Sequence, residues 1–559
     1  MILSLHWPWK PSSLAAPGEH SAGALAWLLL LLMLVFMALP LVAILGQAFG
    51  GSALISTLQQ PGLGLLIGNS VAVSLATTFL VLPLAYLYAM AITRTTMPCK
   101  PLFQGIALIP LLAPSLLPGI SLVYLFGNQG VLNSWFPNGG IYGFAGILIG
   151  EAFYTFPHAV MILLTALAAG DARLYEAATA LGAGRLRQFF TVTLPATRYG
   201  LVSAGLVVFT LTITDFGVPK VIGGRFPVLA VEAYKQVIGQ QNFARGAVIG
   251  LMLLLPAVLS FAVDRWLRQR QAALATAKAQ PLRPLASPLA RALALLCCVL
   301  VGVWLLAMLL TAVAAGFMKM WPYKLTLTFA HFNFDDVDGG GWGAFFNSLK
   351  LAGGTALLGC LLVFLGAWCS EKLRVAGTAR RALHALAMLP MAVPGLVLGL
   401  GYIFFFNAAG NPLHGMYGSM ALLVCCSIAH FYTTAHLTAT TALKQLDADF
   451  EAVAASLKVS VWLTLWRVSL PSCLPALLQI ARYFFVSAMT TVSAVIFLYT
   501  PDTMLASVAV LNMDDAGDTA AAAAMATLIV ACSALVCLLL ALASNGLMRR
   551  SQRWRNGAR

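Results

Sequence analysis

Charge is scarce in this sequence. Only 9% of its 559 residues are Asp, Glu, Lys or Arg, while 60% are apolar. A soluble globular chain carries roughly 25% charged residues, so these few cannot dress the surface of a water-soluble body. The marks of chemistry are missing too. No glycine directly precedes a lysine, so there is no Gly-x4-Gly-Lys phosphate loop. No group of His, Cys or carboxylates has metal-ligand spacing; His430 and His436 sit six apart, which is not one helical face. No nucleophile–base arrangement stands out either. The chain therefore reads as a non-enzyme with no catalytic residue, no metal site and no cofactor of its own. All ten cysteines fall in apolar blocks or in basic connecting segments, which implies no disulfide framework.

What is abundant is long apolar runs. About 20 apolar residues cross a bilayer as a helix, and twelve blocks qualify. The third runs near 103–126, the fifth near 199–215, the ninth near 382–406 and the eleventh near 474–498. The tenth, near 418–440, ends in a Thr-rich stretch. The blocks are continuous rather than alternating, so the spans are helices and not barrel strands. With twelve alternating spans and a cytoplasmic N-terminus, 25 of the 33 Lys and Arg fall on the cytoplasmic side. That bias sets topology, and it accounts for the net charge of +15 without any nucleic-acid partner. The expected protein is multi-pass in a bacterial inner membrane, with both termini cytoplasmic.

The sequence also repeats itself at about half its length. Asn69-Ser70 returns as Asn347-Ser348, Pro110-x3-Pro114 as Pro390-x3-Pro394, and Leu194-Pro195 as Leu470-Pro471, at offsets of 276 to 280. Two six-helix halves in the same orientation follow. The expected division is a first half at 1–264, a cytoplasmic linker at 265–290, rich in Arg, Gln, Ala and Pro, and a second half at 291–559.

After the fourth span of each half comes a long patterned loop, 171–198 and 447–473. The first holds Glu176, Ala177, Ala178 and Gly182, then Val192-Thr193-Leu194-Pro195. That pattern is a short helix, a glycine stop and a proline at the start of the next span. It resembles the signature of ABC importer permeases: Glu-Ala-Ala, three residues, Gly, nine residues, Ile-x-Leu-Pro. The second loop, with Glu451, Ala452, Lys458, Leu470 and Pro471, departs from it. Lys458 stands where Gly is expected, and the Glu is displaced by one residue. The resemblance implies an all-α membrane protein of two tandem six-helix type I permease halves. It further implies that the loops dock into two cytoplasmic ATPase subunits, which bind the ATP and Mg, and that a periplasmic solute-binding protein delivers a small solute.

Within the family, Thr214 to Gly224, Tyr234 to Phe243 and Phe485 to Tyr499 look most like permeases for 2-aminoethylphosphonate; ferric-iron permeases are the alternative. A carrier driven by an ion gradient is the alternative of another class, and it would have no use for the two loops. Ionisable groups inside spans are candidates for the solute pathway because burying them is costly. Three qualify: Glu151, Asp215 and Arg482. Arg482 suits the phosphonate and Asp215 the amine. The alternative roles are snorkelling for Arg482 and helix capping for Asp215.

Overall fold

The computed structural model describes residues 17–274, 280, 282, 287–447 and 449–551. Residues 275–279, 281 and 283–286 of the linker expected at 265–290 lie outside the described residues, as do Lys10, Arg553, Arg555 and Arg559; its two ends are helical, in Phe243–Leu274 and from Pro288 onward. The chain is helical almost throughout. Among the described residues ten helices are long and apolar enough to cross a membrane, and two further pairs are bent. Counting each bent pair as one span gives twelve.

The bends fall at the repeated prolines. Lys100–Leu112 turns by 100° into Leu117–Phe126, and Gly377–Ala392 turns by 115° into Gly395–Phe406. A proline ring pushes the residue before it out of the helical region. Ala113, before Pro114, is accordingly extended (φ −101°, ψ 142°), and so is Val393 before Pro394 (φ −113°, ψ 116°). The third and ninth apolar blocks are thus broken spans rather than straight ones.

Three boundaries differ from the hydropathy reading. The fifth span begins at Arg185, not near 199, and runs to Thr214. Its first turns are polar, and a wide π turn at Phe189–Thr193 carries the helix past Leu194-Pro195. The proline ring would crowd a regular turn, and one wide turn makes room for it. The eleventh span, Val461–Thr490, repeats this with a π turn at Leu465–Ser469, and it stops at Thr490. The apolar residues beyond it, Val492 and Ala494 to Leu498, are buried in irregular structure instead. The tenth span keeps its threonines, because Thr438 and Thr441 donate to carbonyls one turn back (2.9 and 2.7 Å).

Each half lends its first helix to the other. The first span, Glu19–Phe49, lies against Gly341–Lys372 and the bent pair Gly377–Phe406. Pro40 has no N–H, so the Phe36 carbonyl loses its helical partner. The Tyr402 hydroxyl supplies one at 2.6 Å, and the Phe36 and Phe406 rings stack at 5.6 Å. Only glycine fits at position 401, where a Cβ would stand 2.6 Å from the Pro40 carbonyl oxygen. The seventh span, Pro288–Phe317, lies in turn against Leu63–Arg94 and Leu117–Phe126. Its Trp304 packs edge-on to Phe153 and Phe156.

The Asn-Ser repeat has a structural role. Ser70 Oγ accepts from the Leu229 N–H, and Ser348 Oγ from the Ala506 N–H, both at 2.8 Å. Asn69 donates to the Pro227 carbonyl, and Asn347 to those of Asp502 and Met504. Each pair pins the segment that folds back after the fifth or eleventh span. Ser70→Ala or Ser348→Ala leaves a buried N–H unpaired. Each should cost roughly 1–3 kcal/mol, read as a lowered unfolding temperature of the purified protein; Ser56→Ala, at an exposed hydroxyl, should change nothing.

Candidate coupling loops and solute pathway

The two patterned loops are built alike. Asp171 caps the helix Ala172–Ala180 by accepting from the Arg173 N–H at 3.1 Å. Asp447 accepts from the Asp449 N–H, also at 3.1 Å, at the start of Asp449–Ser456. The first helix ends at Gly182 in the left-handed conformation (φ +74°). The Gly182 and Ala183 N–H groups bond back to the Thr179 and Ala178 carbonyls. In the second loop Lys458 takes the same conformation (φ +57°), and Lys458 and Val459 bond back to Ala455 and Ala454. The departure from glycine has not changed the turn. It leaves a side chain in a conformation that disfavours one by roughly 1–2 kcal/mol.

The loops expose large apolar side chains at matched positions. Leu174, Leu181 and Phe190 are 54%, 85% and 58% exposed, and Phe450, Leu457 and Trp466 are 52%, 69% and 64% exposed. The offset is 276 for all three pairs. A patch of this kind marks a surface that a protein partner or a membrane covers. Glu176 and Ala177 are exposed beside it and Ala178 is half-buried. The displaced Glu has a different task. Glu451 is half-buried and pairs with Lys372 at 2.8 Å, at the positions held in the first half by Tyr175 and Arg94. There the guanidinium lies over the ring, 5.2 Å from its centroid, and donates to the Leu167 carbonyl. Each loop is thus tied to the end of its half's second span, by a cation over a ring in one and an ion pair in the other. Leu194-Pro195 and Leu470-Pro471 directly follow the π turns.

Sequence reasoning missed the braces on these loops. The Val461 N–H donates to the Pro17 carbonyl (3.0 Å), and the Trp462 indole to Ser21 Oγ (2.9 Å). Gln280 bonds to the Ala172 N–H and to Asp171 (3.0 and 3.2 Å). Each loop is held by the chain that leads into the other half's first span. Only the repeat hinted at this, since Pro17 and Gln280 carry no motif.

Of the three ionisable groups singled out within spans, two meet. Glu151 is fully buried, and its carboxyl faces that of Asp215 without a well-formed hydrogen bond to any described group. Asp215 accepts from the Val218 N–H at 2.9 Å, capping Gly217–Ile222, and lies beside Ser115. Tyr154 stands close to both carboxyls and, across the halves, to Tyr483. Arg482 is apart from them. It is exposed on the eleventh span near Cys537 of the twelfth. The end opposite the coupling loops is bridged between the halves. Phe216, Tyr234 and Phe497 form a run of rings (4.7 and 6.3 Å), and Lys220 lies over Tyr234 and pairs with Asp515 at 3.0 Å.

The profile of the binding-protein-dependent transport system inner membrane component matches twice, at residues 89–273 and 362–553. Each match contains one patterned loop. The chain belongs to this family. It is a two-half ABC importer permease, a component of the inner membrane. Among its relatives is the ferric transport system permease protein FbpB of Actinobacillus pleuropneumoniae, 29% identical over 523 residues, 90% of this chain and 75% of that protein. A putative FbpB 1 of Haemophilus influenzae is 29% identical over 499 residues, 85% and 77% of the two chains. The molybdenum transport system permease protein ModB of Escherichia coli is 28% identical over 209 residues. That match takes 90% of ModB and 35% of this chain, so the relative is the length of a single half. Family membership implies a solute-binding protein and ATPase partners.

Two substitutions test the shared turn. Lys458→Gly relieves roughly 1–2 kcal/mol of backbone strain against roughly 0.5–1 kcal/mol of added chain entropy, so the permease should melt slightly higher. Gly182→Val has the opposite sign and should also weaken retention of the ATPase in a pull-down. A Gly182→Val permease that melts normally and holds the ATPase as wild type does would show that the turn is not needed.

Proposed function

We propose that this permease is the translocating subunit of an importer in which two cytoplasmic ATPase subunits each grip one loop. The observation that carries this is the set of three matched, exposed apolar pairs around the two left-handed turns. A chain that worked alone would have no reason to leave them in water. Nucleotide-driven closure of the ATPase pair draws the loops together, and the loop ties at Arg94–Tyr175 and Lys372–Glu451 pass that movement into the spans. The bridge at Phe216, Tyr234 and Phe497 then parts, and a docked binding protein releases its solute into the space between the halves. The permease supplies two states with different loop spacing, and the nucleotide state of the partner biases them. ATP and Mg are bound by the partner, and the permease performs no chemical step. The loops, on the basic side of the chain, face the cytoplasm together with both termini.

The solute in this reading is 2-aminoethylphosphonate, on the resemblance of Thr214 to Gly224 and Tyr234 to Phe243. The Glu151–Asp215 pair offers negative charge to its amine. A second reading is ferric iron. Two relatives that align with most of this chain are named as ferric permeases, and carboxylates with Tyr154 nearby are the oxygen ligands a hard cation takes.

Growth separates the two. Cells that depend on this permease should use 2-aminoethylphosphonate as sole phosphorus source and stop when the gene is deleted. Growth that survives deletion while ferric uptake is lost would establish the iron reading instead. In either case Glu151→Gln with Asp215→Asn should lower uptake at unchanged protein level and unchanged ATPase retention, since neither residue touches the loops. Arg482→Gln should leave uptake near wild type, because its side chain is apart from the acidic pair.

A further inference from the structure

The strands Met318–Met320 and Lys324–Leu327 form a hairpin, the one sheet among the described residues. A lone two-stranded hairpin is marginal in water, and this one turns its apolar groups outward. Met320, Tyr323, Leu325, Leu327 and Phe329 are between 57% and 77% exposed. The hairpin follows directly on Phe317, the last residue of the seventh span. That span carries an exposed stripe, Leu293, Leu300, Val303 and Leu310, each more than half exposed. The hairpin continues this stripe at the end opposite the coupling loops.

Its surroundings are aromatic. Nine of residues 317–346 are Phe, Trp or Tyr, against 10% of the chain as a whole. Successive rings touch from Phe317 through Phe332 and Phe334 to Trp342 (4.9, 6.1 and 5.1 Å). Trp321 anchors the turn by donating to the Tyr124 carbonyl at 3.0 Å. Aromatic rings concentrate where hydrocarbon meets headgroup. Lys319 and Lys324 are exposed on the same hairpin. The corresponding segment of the first half, residues 50–62, has neither a strand nor an aromatic residue.

We propose that this hairpin is a lipid-surface anchor. Its apolar side chains enter the acyl boundary beside the seventh span, and Lys319 and Lys324 reach the phosphates of anionic lipids. A protein partner would be expected over the junction of the halves, where Lys220 meets Asp515. The hairpin instead extends a stripe that already faces lipid. Held there, it fixes the depth of the seventh span, which braces the first half, while the halves move.

The test uses the full chain in nanodiscs of phosphatidylethanolamine and phosphatidylglycerol, with p-benzoylphenylalanine placed at Leu327 or, as control, at the exposed Asp336 of the same loop. Illumination should give lipid adducts at Leu327 and few at Asp336, whether or not the binding protein is present. In the Lys319→Gln, Lys324→Gln background the phosphatidylglycerol share of the adducts should fall by up to about fivefold per lysine. Adducts of Leu327 with the added binding protein would make the hairpin a protein-docking surface. Adducts with neither would leave it in water. Either result overturns the proposal. Mass spectrometry of the intact permease reads every outcome, and Leu327 is exposed, so folding is not at stake.

Discussion

A carbonyl or N–H left without a partner inside a bilayer costs several kcal/mol. Most of this architecture follows from that constraint, because the chain breaks its helices deep in the apolar layer. Pro40 frees the Phe36 carbonyl, and the Tyr402 hydroxyl of the other half takes it. The segments that fold back after Thr214 and Thr490 expose N–H groups, and Ser70 and Ser348 accept from them. A hydroxyl or an amide from elsewhere in the chain stands at each of these places. The exchange of first helices between the halves serves the same end. It covers broken spans with unbroken ones, and it makes neither half complete alone.

That dependence also makes the loops mechanically useful. A loop on a flexible tether could move without moving the spans. These loops are capped at one end by Asp171 or Asp447, reversed at the other by a left-handed residue, and tied to the second span of their half. Pro17 and Gln280 bind each of them to the other half as well. A displacement at either loop therefore reaches both halves. The outer bridge of Phe216, Tyr234 and Phe497 is made of aromatic rings and one partly exposed ion pair. Such contacts are individually weak, so in the proposed cycle the bridge is where the halves part.

The class of fold, the span count and the repeat were legible because each leaves a pattern that composition preserves: long apolar blocks, a basic bias, matched dipeptides. The ends of spans were less so. Arg185, Gln188 and Thr191 look like loop residues by hydropathy, yet they lie in a helix that emerges from the membrane before it ends. Val492 and Ala494 to Leu498 look like a span, yet they are buried in irregular structure by the chain folding back over them. Hydropathy cannot separate burial in lipid from burial in protein. The coupling turn was readable at Gly182 from its glycine and only by the repeat at Lys458, where a residue with a Cβ keeps the same φ. Asp215 and Glu151 were found as costly charges, but their meeting was not, since they lie 64 positions apart and on different spans. Arg482 drew attention by the same rule and is apart from them, because the rule sees depth along a helix and not which way the helix faces.

The two halves agree in mechanics and differ in chemistry. Caps, left-handed turns, π turns, proline bends and exposed apolar side chains recur at nearly one offset, which suits the proposal that two like partners push them in step. The polar positions around the acidic pair do not recur. At the offset of 276, Glu151 is answered by Ser427, Tyr154 by His430 and Asp215 by Thr491. The two facing carboxyls are thus a feature of the first half alone. In the proposed pathway, two like halves would offer a solute two equivalent resting places, whereas a one-sided acidic pair would favour a single orientation. The shared frame constrains movement, and selection of cargo is free to act on residues the frame does not use.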